Sequence, residues 1–234
     1  MREDLRPQKT KTSPKFEHSL SDEQKAAKKL ILESKIAIIT GKAGTSKTFL
    51  AAQIALDLKL KGCIDEIFIS RSSVSKEDIG FLPGDVNAKM EGFVAPVIEN
   101  MENLRSNGKK EIAKLLELGE IKLVPIQFLR GRTALNSVFI IDEAQNLTPE
   151  QIYTFVTRLG KGSLMIFTGD IIQSDLKNPS SNGLKALIET SSKVDGMVHV
   201  EMKENYRDPI IVDFMKHYEK YLPENLKKAA NVGI

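Results

Sequence analysis

The chain has 234 residues, an apolar fraction of 41% and a formal net charge of +3, which suits a soluble α/β fold with one large core and excludes nothing on charge alone. A single cysteine, Cys63, excludes an internal disulfide, and His18, His199 and His217 are too scattered for a metal-ligand set. No apolar run approaches the roughly 20 residues that cross a bilayer, and the first residues are polar, so a soluble protein of a reducing cytoplasm, with no membrane partner, is expected.

The stretch 1–18 mixes Pro, Ser, Thr and charge without apolar periodicity. It holds five basic residues against three acidic ones, a charge of +2 that leaves +1 for everything else. It is expected to be a flexible basic tail, followed by one domain over 19–222 and a C-terminal tail over 223–234. Net charge is then a weak pointer to nucleic acid, since a nearly neutral body can carry a basic stripe or none.

Regular structure is expected from about Ser21, where Ser21 and Gln24 have the spacing of a capping box. Lys35–Thr40 is the first strand candidate, and "GKAGTSKT" turns it into a helix carrying Phe49, Leu50 and Ile54. Asp65–Ser70 is the second strand. A long helical insertion follows, with Phe93, Val94, Val97, Ile98, Met101 and Leu104 on one stripe and then Ile112, Leu115 and Leu116. Ile121–Ile126 and Ser137–Ile141 are the next strands. "NLTPEQIYTFVTRLGKG" reads as a helix with Thr148 as cap, Pro149 in its first turn, Gln151 closing a capping box and Gly160 at its stop. Its apolar face is Ile152, Phe155, Val156 and Leu159. Leu164–Thr168 and Val198–Met202 complete the strands. Short apolar runs alternating with helices predict a mostly parallel sheet covered on both faces.

"GKAGTSKT" approaches the pattern G-x-x-x-x-G-K-[ST], with Ser46 where the second glycine belongs. Strand, glycine-rich turn and helix N-terminus together form a cradle of N–H groups for phosphate oxygens. Gly41, Lys42, Ala43, Gly44, Thr45, Ser46, Lys47, Thr48 and Phe49 are the candidate ATP-binding residues. Lys47 is placed to reach the β- and γ-phosphates, and Thr48 to hold Mg²⁺. Ser46 adds a Cβ and a hydroxyl, so reshaped or weakened binding is expected rather than loss. The alternative is a plain strand, turn and helix with a surface lysine.

In "NSVFIIDEAQ" four apolar residues deliver an adjacent pair of carboxylates to a strand end. Asp142 is the candidate Mg²⁺ ligand and Glu143 the group that orients or deprotonates water; the bland alternative is that both open a loop. "MIFTGDIIQSDL" brings Thr168, Asp170 and Gln173 to the same expected edge, Gln173 being the candidate sensor of the γ-phosphate or water. For Asp170, simple turn formation stands as an equal alternative.

These residues resemble the PhoH-like family of P-loop ATPases, related to the RecA-like core of superfamily 1 helicases. The resemblance runs from about Ser21 to Tyr221 through "GKAGTSKT", "ISRSSVSKEDIGFLPGD", "FLRGRT", "FIIDEAQNLTPEQ", "RLGKGSLMIFTGDIIQSDL" and "YRDP", in family order. Ser46 and Ser72 depart from the usual glycine and proline. Such members are common in bacteria and their tailed phages, and the short chain with its altered loop fits a phage version. The resemblance implies a single RecA-like domain that hydrolyses ATP with Mg²⁺ and acts on single-stranded RNA or DNA, as a helicase or a related enzyme. It further implies that Gln24 bonds adenine, a role that stands beside its capping role and can be combined with it if the side chain is shared, and that Arg207 contacts the γ-phosphate. Arg71, Arg130, Arg132 and the loop 81–84 are implied to touch nucleic acid or a neighbouring subunit, with a surface ion pair the alternative for each arginine. One RecA-like domain leaves the γ-phosphate open on one side, so a homo-oligomer, as a hexameric ring, is expected. A non-catalytic nucleotide-dependent scaffold and a small-molecule phosphotransferase are the rival functions.

Overall fold

The structure is a computed structural model that describes residues 4–6, 14–72, 86–125, 133–171, 173 and 182–221, with 86–91 and 219 described by their backbone only. Helix α1 (Asp22–Glu33) precedes β1 (Ile36–Gly41), α2 (Lys47–Leu60) and β2 (Glu66–Arg71). The insertion forms α3 (Val86–Asn103) and α4 (Gly108–Glu117). There follow β3 (Ile121–Leu123), β4 (Ser137–Asp142), a 3₁₀ turn at Ala144–Asn146, α5 (Pro149–Val156), β5 (Leu164–Gly169), α6 (Gly183–Ser191), β6 (Met197–Met202) and α7 (Pro209–Tyr218). Among the described residues the six strands form one sheet in the order β3-β2-β4-β5-β1-β6, with every pairing parallel. The fold is therefore α/β, as the alternation of runs predicts, and all-parallel where a mostly parallel sheet was expected.

Side-chain alternation splits the core in two. Ala37 and Ile39 of β1, Ile67 and Ile69 of β2, Val138 and Ile140 of β4, and Leu164 and Ile166 of β5 face the layer made by α1 to α4. Their neighbours Ile38, Phe139, Ile141, Met165 and Phe167 face α5 and α6. Strands buried on both faces need apolar residues at successive positions, which is why these segments read as continuous hydrophobic runs. Each fully buried Ile, Leu or Phe contributes about 1.5–3 kcal/mol relative to exposure, and Phe68 stacks on Phe139 with ring centroids 4.8 Å apart. The insertion joins the first core through the stripe predicted for it: Val94, Val97, Met101, Leu104 and Ile112 are buried.

Local signals hold at the helix starts. Thr148 and Gln151 form the capping box that opens α5, and Ser21 and Gln24 form one for α1. Gly160 has another use than the predicted helix stop, because α5 ends at Val156 with Thr157 as its cap. The Gly160 N–H donates to the Ala134 carbonyl at 2.9 Å, and a Cβ at 160 would collide with that oxygen. Part of the expected N-terminal tail packs on the body: Leu5 is buried, Phe16 packs against the first core and Arg6 pairs with Asp65 at 2.6 Å. Among the described residues no helix is long and apolar enough to cross a membrane.

Candidate active site

Parallel strands point their C-terminal ends one way, so the segments after β1, β2, β4 and β5 open on one edge of the sheet. β5 lies between β1 and β4, which brings the turn 41–48 beside the carboxylates after β4. A cavity of about 460 Å³ lies there, bounded by Ala43, Gly44, Ser46, Lys47, Thr48 and Phe49 on one side. Asp142, Glu143, Gly169, Asp170 and Gln173 bound the other side, and Asn100, Tyr206 and Arg207 the rim.

The turn has the shape that its near-match to the phosphate-loop pattern predicts. Ser46 is the N-cap of α2 and adopts φ 59°, ψ 28°, the left-handed conformation that glycine takes without penalty. Its side chain makes no capping hydrogen bond, although the first N–H groups of a helix have no acceptor within the helix. The cavity thus meets an uncapped helix N-terminus with no acidic residue in its first turn, an arrangement that favours an anion. Lys47 Nζ donates to the carbonyls of Gly41 at 2.7 Å and Lys42 at 2.8 Å. Burial pushes the Lys47 ammonium below its ordinary value; Asp170, Glu143 and Asp142 pull it back up and Arg207 pushes it further down. Gly44, at φ +90°, lies under the segment after β6: a Cβ there would come within 2.9 Å of the Arg207 side chain and of Asn205 Oδ1. The Tyr206 N–H donates to the Gly44 carbonyl at 3.0 Å, which fixes Arg207 beside the turn.

Across the cavity Thr48 Oγ1 donates to Asp142 Oδ1 at 3.0 Å, and Thr168 Oγ1 donates to the same oxygen at 2.5 Å. Asp142 is 4% exposed. A hydroxyl and a buried carboxylate side by side are hard oxygen donors of the kind Mg²⁺ takes, and Mg²⁺ fills its other positions with water and phosphate oxygens. Among the described residues no group of three or more His, Cys, Asp and Glu gathers to hold a metal by itself, so the residues present fit an ion held jointly with an anionic ligand. Glu143 sits at φ 55° directly after β4. Its Oε1 accepts from Arg71 Nη2 at 3.2 Å and its Oε2 from Gln145 Nε2 at 2.5 Å. Buried Gln145 in turn accepts from the Asp170 N–H at 3.0 Å.

Of the residues singled out in the sequence, the structure gathers Ala43, Gly44, Ser46, Lys47, Thr48, Phe49, Asp142, Glu143, Asp170, Gln173 and Arg207 around the cavity. Gly41 and Lys42 contribute carbonyls to Lys47. Thr45 is buried within the turn, its hydroxyl donating to the Lys42 carbonyl at 2.9 Å. Gln24 is not brought to the cavity wall: it is 3% exposed and engaged with Ser21. Arg71 pairs with Glu143 of its own chain. Arg130, Arg132 and the loop 81–84 lie outside the described residues. Sequence reasoning missed Asn100, Gln145 and Tyr206. Tyr206 adjoins Arg207 and Gln145 lies two residues beyond Glu143, so proximity could have found both. Nothing in the sequence links Asn100, on the insertion, to this edge.

The family model described as PhoH-like protein matches residues 18–219. A PhoH-like protein of Synechocystis sp. is 37% identical over 195 residues, which is 82% of this chain and 59% of that protein. A PhoH-like protein of Bacillus subtilis is 37% identical over 183 residues, covering 77% of this chain and 57% of that one. The chain thus spans somewhat over half the length of these curated relatives. Among solved structures, the large terminase of a thermophilic bacteriophage, in complex with ADP, aligns with a TM-score of 0.55 at 10% identity. The alignment covers 88% of this chain and 51% of that chain, a likeness of fold.

Proposed function

The chain belongs to the PhoH-like protein family, and from that premise we propose that it binds ATP with Mg²⁺ at the strand ends and hydrolyses it, in a cycle coupled to single-stranded RNA or DNA. One juxtaposition carries the reading: Lys47, at the uncapped start of α2, shares one cavity with the bonded pair Thr48 and Asp142 and with the Glu143 carboxylate. A cation, an N–H cradle, a pair of oxygen donors for a metal and a separate carboxylate are the parts phosphoryl transfer to water needs.

The roles follow from position. Lys47 gives up its two loop carbonyls to hold phosphate oxygens, and the first-turn N–H groups of α2 hold others. Thr48 and Asp142 hold Mg²⁺, which supplies charge that offsets the negative charge developing on the transferred group. Glu143 orients water and accepts its proton on a carboxylate oxygen, with Gln173 on the same wall as a second orienting group. Arg207 meets the terminal phosphoryl group from the rim.

The proposed active form is a homo-oligomer, as a hexameric ring, in the cytoplasm. Support comes from α7, on which no described residue is buried. Ile210, Phe214 and Tyr218 are 72%, 56% and 49% exposed. Arg207, which lines the cavity, has Nη1 2.9 Å from Met215 Sδ, so this helix packs on a cavity residue, and a second copy seated on it would help to exclude water from the site.

Phosphate release measured with Mg²⁺ and ATP, with and without single-stranded RNA and single-stranded DNA, tests the proposal. Hydrolysis that rises on adding either strand is expected. ATP binding without phosphate release would make the protein a nucleotide-dependent scaffold, and turnover raised only by small-molecule acceptors would make it a phosphotransferase.

A further inference from the structure

Arg71 and Asp142 are register partners at the last residues of the neighbouring parallel strands β2 and β4. From there the Arg71 guanidinium reaches three groups. Nη2 donates to Glu143 Oε1 at 3.2 Å, Nη1 donates to the carbonyl of Phe93 on α3 at 3.1 Å, and Nε faces Asp142 Oδ2 at 3.9 Å. Its side chain is only 23% exposed, and the buried Nε has no hydrogen-bond partner. A second tie runs alongside, since Ser72 Oγ donates to the Glu143 carbonyl. The carboxylate proposed to act on water is therefore bonded to the end of β2 and, through Arg71, to the insertion.

We infer that Arg71 is a positioning residue that latches Glu143 in the resting protein, and that a nucleic-acid phosphate releases the latch by taking the guanidinium. This inference rests on the reading of Glu143 and on the coupling to single-stranded nucleic acid proposed above. A guanidinium is a planar fork matched to carboxylate or phosphate, and here it grips its carboxylate through a single nitrogen. The unbonded Nε marks an arrangement one bond short of full satisfaction, while a buried donor without a partner is costly. A phosphate oxygen offered at this edge can accept from the terminal N–H groups together, where Glu143 accepts from only one of them. Freed from Arg71, the Glu143 carboxylate, already on the cavity wall, keeps its bond to Gln145 through Oε2 and has Oε1 open to accept from water. Arg71 so gains a role within its own subunit, set by geometry that makes it a poor donor to a neighbour's site.

The test is steady-state ATP turnover by the full chain, with single-stranded RNA as the probe, for wild type, Arg71→Met, Arg71→Lys and Glu143→Gln. Arg71→Met keeps much of the length and loses the charge and the fork. Its RNA-independent kcat is expected to rise about fivefold or more, with KM for ATP within twofold of wild type and further stimulation by RNA below twofold. Arg71→Lys keeps a cation near Glu143 but cannot reach the Phe93 carbonyl at the same time, so its basal kcat should fall between the two. It carries the test should the methionine variant fail to fold. A basal kcat at or below wild type in the folded Arg71→Met protein, or in Arg71→Lys if that is the one that folds, would overturn the latch. If Glu143→Gln hydrolyses ATP like wild type, the role proposed for Glu143 fails and the latch with it; if it is inactive and the Arg71 variants are no faster, the latch alone fails.

Discussion

The hydroxyl of Thr48 donates to Asp142 Oδ1 across 3.0 Å, tying the first turn of α2 to the end of β4 although the two residues lie 94 positions apart in sequence. This bond sets where a metal can sit. Asp142→Asn removes the charge while keeping an oxygen for Thr48 and Thr168, so the fold should persist. The expected result is ATP affinity that no longer rises when Mg²⁺ replaces EDTA, measured by calorimetry. An undiminished Mg²⁺ effect would place the ion elsewhere.

Lys47 gives the site an alkaline limit. Its pKa lies below the ordinary 10.5, chiefly because it is buried. In the window between that lowered value and 10.5 the unfolded chain binds more protons than the folded one, so the ligand-free protein gains stability there as pH rises. Nucleotide binding responds with the opposite sign. Phosphate favours the ammonium form, so affinity should weaken as pH climbs through the lowered pKa, with net proton uptake on binding in that range. Calorimetry in two buffers of different ionisation enthalpy reads the uptake, and Lys47→Ala should abolish both binding and uptake.

Ser46 sits at φ 59° with no capping bond to offset the strain. A left-handed L-residue costs roughly 1–2 kcal/mol, while glycine loses about 0.5–1 kcal/mol more backbone entropy on folding. Ser46→Gly should therefore be net stabilising by about 0.5–1 kcal/mol, a rise in Tm of about 1–4 °C at this chain length. Nucleotide affinity should also rise modestly. A lower Tm would show that the serine side chain contributes an interaction the structure does not display.

Much of the site was legible because its parts are short and local. A strand, a turn and a helix start make the phosphate loop, and apolar runs ending in Asp142–Glu143 or Thr168–Asp170 announce strand ends. The two capping boxes were legible for the same reason. The positive φ of Ser46 was not, because a near-match to a motif names residue types and leaves the dihedral angle of the substituted position open. Nor was the Arg71–Glu143 pair, 72 residues apart, since it depends on β2 lying next to β4, and strand order does not follow from hydrophobic pattern. Gln24 shows the converse: its spacing from Ser21 pointed to a cap while the resemblance implied a base contact, and the structure displays the cap.

The exposed face of α7 beside Arg207 leads to a mixing experiment. Lys47→Ala, which keeps its arginines, is combined with Arg207→Ala, which keeps its loop. Arg207 lies against Gly44 of its own chain, so it should act within its subunit and the mixture should recover no more phosphate release than the sum of its parts. Light scattering should show an assembly larger than a monomer. Recovered turnover would move Arg207 to a neighbour's site, and a fully active, strictly monomeric species would remove the ring.

Phosphate release by Glu143→Gln beside wild type, with ATP affinity measured on the same samples in Mg²⁺, tests most directly whether the cavity between Lys47 and Asp142 is a hydrolytic site. The carboxamide keeps the size of the side chain and cannot take a proton from water. The expected result is ATP affinity within a few-fold of wild type and turnover lower by roughly 10²-fold or more. Turnover equal to wild type with affinity unchanged would contradict a hydrolytic role for this carboxylate and for the site built around it.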